Sequence, residues 1–264
     1  MSIALQVALV MVTILVVLLV IGAPIGVAIG MSSAVSMICM IPADVSFATS
    51  AQRIFAGSNS FSLIAIPFFI LAGNIMNNGG IATRLVNCAK VISGRMPGAL
   101  AQSNVVANML FGAISGSGAA AAAAMGGTIG PLEEKEGYDK NYSTAVNVAS
   151  APVGMLIPPS NTMIVYSSVA GSVSIAALFM AGYIPGLLWG GAVMILAGIM
   201  AKKRGYQAEQ RVPVKVALKT FWQAIPSLLL IVIVIGGILG GIFTATEGSA
   251  IAVVYATVLS LIYK

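Results

Sequence analysis

Residues 99–131 run for 33 positions without a charged side chain, a length that fits no simple membrane crossing. As one straight helix they would reach about 50 Å, well past a hydrocarbon core of about 30 Å. Two full crossings would need about 40 residues plus a turn. The centre of the stretch reads Ile114-Ser115-Gly116-Ser117-Gly118. Glycine is entropically costly in a helix, and each serine can bond local backbone groups instead. The pattern predicts two half-helices that enter and leave on one side, a re-entrant hairpin with its Ser-Gly tip inside the protein. Non-helical backbone survives at membrane depth only where protein or trapped water satisfies it, so a segment of this kind usually exists to bind something.

The rest of the composition agrees with a membrane setting. The chain is 59% hydrophobic and 8% charged, and its first 43 residues contain no charged side chain. A soluble core is excluded by several apolar stretches long enough to span. The apolar start lacks the basic flank of a signal peptide and its apolar run is too long, so it reads as an uncleaved first helix. The net charge of +6 is not a nucleic-acid signal. Lys202, Lys203, Arg204, Arg211, Lys215 and Lys219 collect at a membrane edge, as orientation by the positive-inside rule produces. Cys39 and Cys88 are isolated thiols with no metal spacing and read as small apolar residues. There is no histidine, which removes the usual metal ligand and the commonest proton shuttle.

Spans are expected over 3–22, over 25–41 (a shorter one ended by Pro42), and over 61–76. Residues 44–60 read as a polar, partly helical connection, and 81–96, carrying Arg84, Lys90 and Arg95, as a helix lying at the interface. After the hairpin come a polar loop over 132–142, a broken span over 143–166 and a full span over 174–201. A basic linker over 202–219 and two further apolar segments, 225–243 and 248–262, complete the chain. Placing the basic segments 84–95 and 202–219 both in the cytoplasm leaves two crossings between them. Residues 98–131 must then add no net crossing, and counting back puts the N-terminus on the periplasmic side. The expected fold is all-α and polytopic, with residues 1–201 as a first repeat unit, 202–219 as linker and 220–264 opening a second. Ala65-Ile66-Pro67 and Ala224-Ile225-Pro226 each begin a span, a faint sign of the inverted repeats from which transporters are often built.

Two discontinuities offer complementary chemistry. The tip supplies the Ser115 and Ser117 hydroxyls and backbone carbonyls. In the broken span, Pro158 and Pro159 lack N–H groups and free carbonyls at about residues 153–157. Gly154 loosens that turn, and Ser160 and Asn161 begin the second half-helix. Freed carbonyls with hydroxyls suit a hard cation such as Na⁺, whereas half-helix N-termini favour an anion. A purely architectural Pro-Pro kink is the competing reading, and the pairing of two breaks within one membrane unit weighs against it. Glu247 is an acid in an apolar region and so a default proton or cation site, but Thr244-Ala245-Thr246-Glu247 is a ready capping box, and that reading is preferred. Glu133, Glu134, Glu136 and Asp139 alternate with Lys135 and Lys140 and read as a solvated loop. An enzyme built on these acids is disfavoured by the lack of histidine and of metal spacing.

At several of these places the chain resembles the large membrane subunit of tripartite ATP-independent periplasmic (TRAP) transporters, the DctM-like type. The resemblance is carried by Phe55-Ala56-Gly57-Ser58-Asn59-Ser60-Phe61, by Ile66-Pro67-Phe68-Phe69-Ile70-Leu71-Ala72-Gly73 and by Phe111 to Ser117. Glu136-Gly137-Tyr138-Asp139, Gly154 to Ser160 and Gly241-Ile242-Phe243-Thr244 to Glu247 extend it over essentially the whole chain, in the family's order. It implies an elevator-type permease of the bacterial inner membrane that couples inward Na⁺ movement to import of organic acids such as C4-dicarboxylates or sialic acid. A periplasmic binding protein would deliver the substrate and a small membrane subunit would brace the large one; no cofactor beyond the coupling ion is implied. By match of motif, Ser115, Ser117, Gly154, Ile157 and Pro158 are the Na⁺ candidates of the first hairpin, while Gly116, Ser160 and Asn161 would contribute to ion or substrate. The family continues past Thr244–Glu247 with a second half bearing another hairpin, and this sequence ends at Lys264. The expectation is one half of a binding site, with a non-transporting scaffold that binds the small subunit as the alternative.

Overall fold

The computed structural model describes residues 3–171, 173–206 and 213–263 and is all-α, with no strand among them. The chain divides into two compact units, residues 1–60 and 61–264. Arg211 of the expected basic linker lies outside the described residues.

The first unit holds α1 (Ile3–Val20), α2 (Ile25–Ile38) and α3 (Ala43–Ser58). Its punctuation is proline: Pro24 and Pro42 occupy the N-cap positions of α2 and α3 at φ −55° and −53°, close to the angle the ring imposes. The 18 residues of α1 span about 27 Å, and none of them is buried. Apolar on every side, α1 is suited to lipid rather than to a protein core. The expected span over 25–41 needs correction. Only 14 residues are helical, about 21 Å and short of a straight crossing, because the last turn tightens at Cys39 (N–H to the Ser36 carbonyl, 3.2 Å) and Pro42 cannot extend it. Residues 44–60, expected to be partly helical, are helical almost throughout, with Asp44 favourably placed in the first turn. The Ser46 hydroxyl donates to the Ala34 carbonyl at 3.0 Å, tying α3 to α2.

The second unit opens with a 3₁₀ turn (Phe61–Ile64), then α4 (Ala65–Asn78), α5 (Ile81–Ser93), α6 (Ala99–Ser115), α7 (Gly118–Thr128), α8 (Gly130–Lys135) and α9 (Lys140–Ser150). There follow α10 (Val153–Leu156), α11 (Asn161–Ala170), α12 (Ile175–Lys203), α13 (Val214–Leu239) and α14 (Ala245–Tyr263). Among the described residues, five helical segments are long and apolar enough to cross a membrane: α1, residues 61–78, α12, α13 and α14. The pair formed by residues 140–156 and α11, bent by 47°, makes up to six. Helix α5 is amphipathic as expected, but its apolar stripe, Ile81, Leu85, Val86 and Ala89, is buried in the protein core. Core contact, not lipid, therefore accounts for its pattern. Residues 214–219, read as linker, are the first turns of α13.

Helices α6 and α7 double back on each other, and one residue proves it. Asn147 on α9 accepts from Asn108 Nδ2 at 3.0 Å and donates through its own Nδ2 to the Ala122 carbonyl at 2.9 Å. In a continuous helix, positions 108 and 122 would lie about 21 Å apart, beyond the reach of one asparagine. Helix α12 lies antiparallel to the broken pair. Trp189 Nε1 donates to the Ala149 carbonyl at 2.9 Å and the Tyr142 hydroxyl to that of Ala197 at 2.8 Å, while Gln102 Nε2 of α6 donates to the Met194 carbonyl at 2.8 Å. This brings Arg204, just beyond α12, to the open end of the hairpin, where it pairs with Asp139 at 3.0 Å. Helices α4 and α14 run parallel, the Thr246 hydroxyl donating to the Phe61 carbonyl at 3.0 Å. The expected capping box starts α14: the Thr244 N–H donates to Glu247 Oε2 at 2.7 Å, and the Glu247 N–H returns to Thr244 Oγ1 at 3.3 Å.

Candidate ion and substrate site

The hairpin tip and the break after α10 meet. Gly116 ends α6 at φ +62°, a left-handed geometry that glycine adopts without strain. Its N–H closes back on the Gly112 carbonyl at 2.8 Å. Ser117 then turns extended and caps α7, accepting from the Ala120 N–H at 3.3 Å. Across the junction, the Asn161 N–H donates to the Gly116 carbonyl at 3.3 Å and Asn161 Nδ2 to the Ser115 carbonyl at 3.5 Å. Space is tight: a Cβ on Gly116 would stand 3.0 Å from the Pro159 carbonyl oxygen.

The break itself is built by Pro158 and Pro159. Neither can donate to the carbonyl four residues earlier, so Gly154 and Met155 lose their helical partners. The Ser160 hydroxyl takes up the Met155 carbonyl and, as N-cap of α11, accepts from the Met163 N–H at 3.4 Å. The Val153 carbonyl, counted among the freed ones in the sequence, instead accepts from the Ile157 N–H at 2.9 Å, because Ile157 precedes the prolines and keeps its donor. Gly154 is thus the carbonyl that the prolines strip of its helical donor. Ser115 and Ser160 are fully buried, and Gly154, Ile157 and Pro158 are buried with them.

Glycines set how closely these pieces approach. A Cβ on Gly112 would collide with the Gly154 backbone, and one on Gly154 with that of Gly112, so α6 and α10 cross backbone to backbone. Gly73 of α4 faces Ser115, where an added Cβ would lie 2.8 Å from the serine Cβ. The Ile66–Gly73 motif thereby acquires a physical role, seating α4 against the tip. Two groups remain open at the junction. Asn161 Oδ1 is buried without a hydrogen-bond partner. Ser115 Oγ reaches only Ser117, at 3.4 Å from both its N–H and its carbonyl. Two helix C-termini (α6 and α10) and two capped N-termini (α7 and α11) therefore adjoin at the junction. The donor set is all oxygen, which suits a hard cation, and the N-termini suit an anion beside it.

All eight predicted site residues lie on these two adjoining breaks. What the sequence reading missed is the polar lining below them. Asn108 Nδ2 reaches Asn104 Oδ1 at 2.9 Å and Ser150 Oγ at 2.8 Å as well as Asn147. The signal was present, since Asn104 and Asn108 share one face of α6 by i, i+4 spacing. At the hairpin's open end the expected solvated loop is instead partly buried. Asp139 does face solvent, its carboxyl held below the usual range by the Tyr142 N–H and by Arg204. Glu133 does not: it is 0% exposed, because α8 folds it inward against α6 and α9.

Comparison with known proteins gives the family. Residues 12–264 match the family described as the DctM component of the tripartite ATP-independent periplasmic transporter. An uncharacterized protein of Salmonella typhimurium, YgiK, is 54% identical over 233 residues, 88% of this chain and 54% of its own length. The C4-dicarboxylate TRAP transporter large permease protein DctM of Vibrio cholerae is 42% identical over 224 residues, covering 84% of this chain and 49% of the relative. The sialic acid TRAP transporter large permease protein SiaM of the same organism is 40% identical over 217 residues, 81% and 50%. The chain spans about half the length of these curated relatives. With a helical hairpin packed on a proline-broken helix, and a family match running from residue 12 to residue 264, the chain belongs to the DctM family of TRAP transporter permeases, a family of transport proteins rather than enzymes.

Proposed function

We propose that the chain forms the first half of a Na⁺-coupled permease that imports organic acids handed over by a periplasmic binding protein. The observation that carries the reading is the junction itself. Asn161 bonds the Gly116 and Ser115 carbonyls, while Asn161 Oδ1 has no partner and the Gly154 carbonyl loses its helical donor to Pro158. Oxygens left open in a buried site are costly, and a bound cation would satisfy them. Ser115, Ser117, Gly154, Ile157 and Pro158 would surround Na⁺, with Gly116, Ser160 and Asn161 between ion and substrate. The N-termini of α7 and α11 would face a substrate carboxylate. In this reading the hairpin is re-entrant from the cytoplasmic side, since Arg204 gathers at its open end. The relatives named for C4-dicarboxylate and sialic acid support an organic-acid substrate without choosing among them. A small membrane subunit would brace the permease in the inner membrane.

Reconstitution into proteoliposomes with the rest of the permease, a small membrane subunit and a binding protein tests this. Uptake of an organic acid that requires an inward Na⁺ gradient, and falls at least tenfold in Asn161→Ala, is expected. Uptake indifferent to Na⁺ would refute the coupling. Tight association with the small subunit but no uptake would favour the scaffold alternative.

A further inference from the structure

The hairpin's open end contains a cavity of about 320 Å³ lined by Asn104, Glu133, Tyr138, Lys140, Ser143 and Asn147, among others. Glu133 is 0% exposed, and neither of its carboxylate oxygens has a hydrogen-bond partner. The Ser143 hydroxyl, also buried, has none either. Ser143 and the Asn104 amide donate weakly toward the carboxyl and favour its ionised form, at a geometry that leaves its oxygens without a full hydrogen bond. An unpaired buried carboxylate beside an unpaired buried hydroxyl is a costly arrangement for a protein to leave as it stands. The facing charges do not resolve it. Lys140 and Glu134 also line the cavity but are exposed, and Lys140 forms no ion pair with Glu133. Arg204 is engaged with Asp139 and stacked over Tyr142 at 5.3 Å.

We propose that Glu133, with the Ser143 hydroxyl, forms a binding site for a hydrated monovalent cation at the open end of the hairpin. The donors are all oxygen, which selects hard cations. A single carboxylate balances a single positive charge, and no group of three or more acidic or thiol side chains converges anywhere among the described residues, as a divalent site would favour. The cavity has room for an ion and several waters. One hairpin arm, α7, separates this site from the tip by about 16 Å, so the two would fill independently. The inference does not rest on the tip's being an ion site.

Protons compete for the same carboxyl, which burial pushes up to about 7. Cation binding should therefore weaken as the pH falls below neutrality. The test is binding of radiolabelled Na⁺ to the purified full chain at pH 8 in choline chloride, with K⁺ as competitor, alongside infrared difference spectra on adding Na⁺. The proposal expects Glu133→Gln to bind one Na⁺ fewer per chain. It also expects Na⁺ to abolish a protonated-carboxyl band at pH 6 in the unaltered protein, a change missing in Glu133→Gln. Should that variant fail to fold, Ser143→Ala should weaken the same site about tenfold, one ligand's worth near 1.4 kcal/mol. Equal Na⁺ stoichiometry in Glu133→Gln, unchanged affinity in Ser143→Ala, or a carboxyl band that answers to pH alone would each overturn it.

Discussion

The two ends of one helical hairpin solve opposite problems. At the tip, four helix ends meet, and the junction is made of backbone and hydroxyl groups brought close by Gly112, Gly116 and Gly154. At the open end, a single carboxylate is buried in a cavity that nothing on the protein fills. The tip's geometry is fixed by local chemistry, a left-handed glycine and two prolines, so it is over-determined and tight. The open end is fixed by tertiary contact between α8, α6 and α9, so it leaves space. An arm of about 16 Å thus joins a rigid uncharged junction to a hollow charged one.

The largest effect that would break this contrast is at the backbone crossing. Gly154→Ala places a methyl against the Gly112 backbone, where no side chain can yield. Overpacking of about 3 kcal/mol or more should show as a steep fall in Tm, or as failure to purify a folded chain. The open end should respond to pH instead. A carboxyl raised to about 7 from an ordinary 4.5 binds its proton more tightly in the folded state than in the unfolded one. Its destabilising effect is absent at acid pH, grows as pH rises from about 4.5 to 7, and is constant above. In choline chloride the loss should approach about 3 kcal/mol, read as a falling Tm that Glu133→Gln flattens.

Gly116→Ala should cost less than the crossing variant, about 1–2 kcal/mol for a side chain at φ +62°, with the Pro159 carbonyl adding to it. It should perturb the tip while leaving the pH profile of the open end unchanged. The smallest effect belongs to a cap remote from both ends: Thr244→Ala should lower stability by about 1 kcal/mol without altering Na⁺ binding. An altered ion response in that variant would reopen Glu247 as an ion site.

The contrast also explains what the sequence revealed. Gly116 and the Pro158-Pro159 pair announce themselves locally because only a few residue types turn a chain that way, and the Thr244–Glu247 cap is a four-residue signal. Glu133 is invisible by the same logic. Within Leu132-Glu133-Glu134-Lys135-Glu136 it resembles its solvated neighbours, and only the packing of Asn104 and Ser143 from distant parts of the chain sets it apart. The apolar stripe of α5 was legible, but sequence alone could not tell whether lipid or protein would cover it. Likewise, the apolar run at 25–41 gave no sign that its helix would stop at Ile38.

The central claim is that the tip junction holds a cation. Counting radiolabelled Na⁺ bound by the purified chain, with Ser115→Ala/Asn161→Ala set against Glu133→Gln, tests it most directly. The account predicts that the tip double variant loses a Na⁺ that Glu133→Gln retains. If the double variant binds as much Na⁺, as tightly, as the unaltered chain, the junction is architecture and not an ion site.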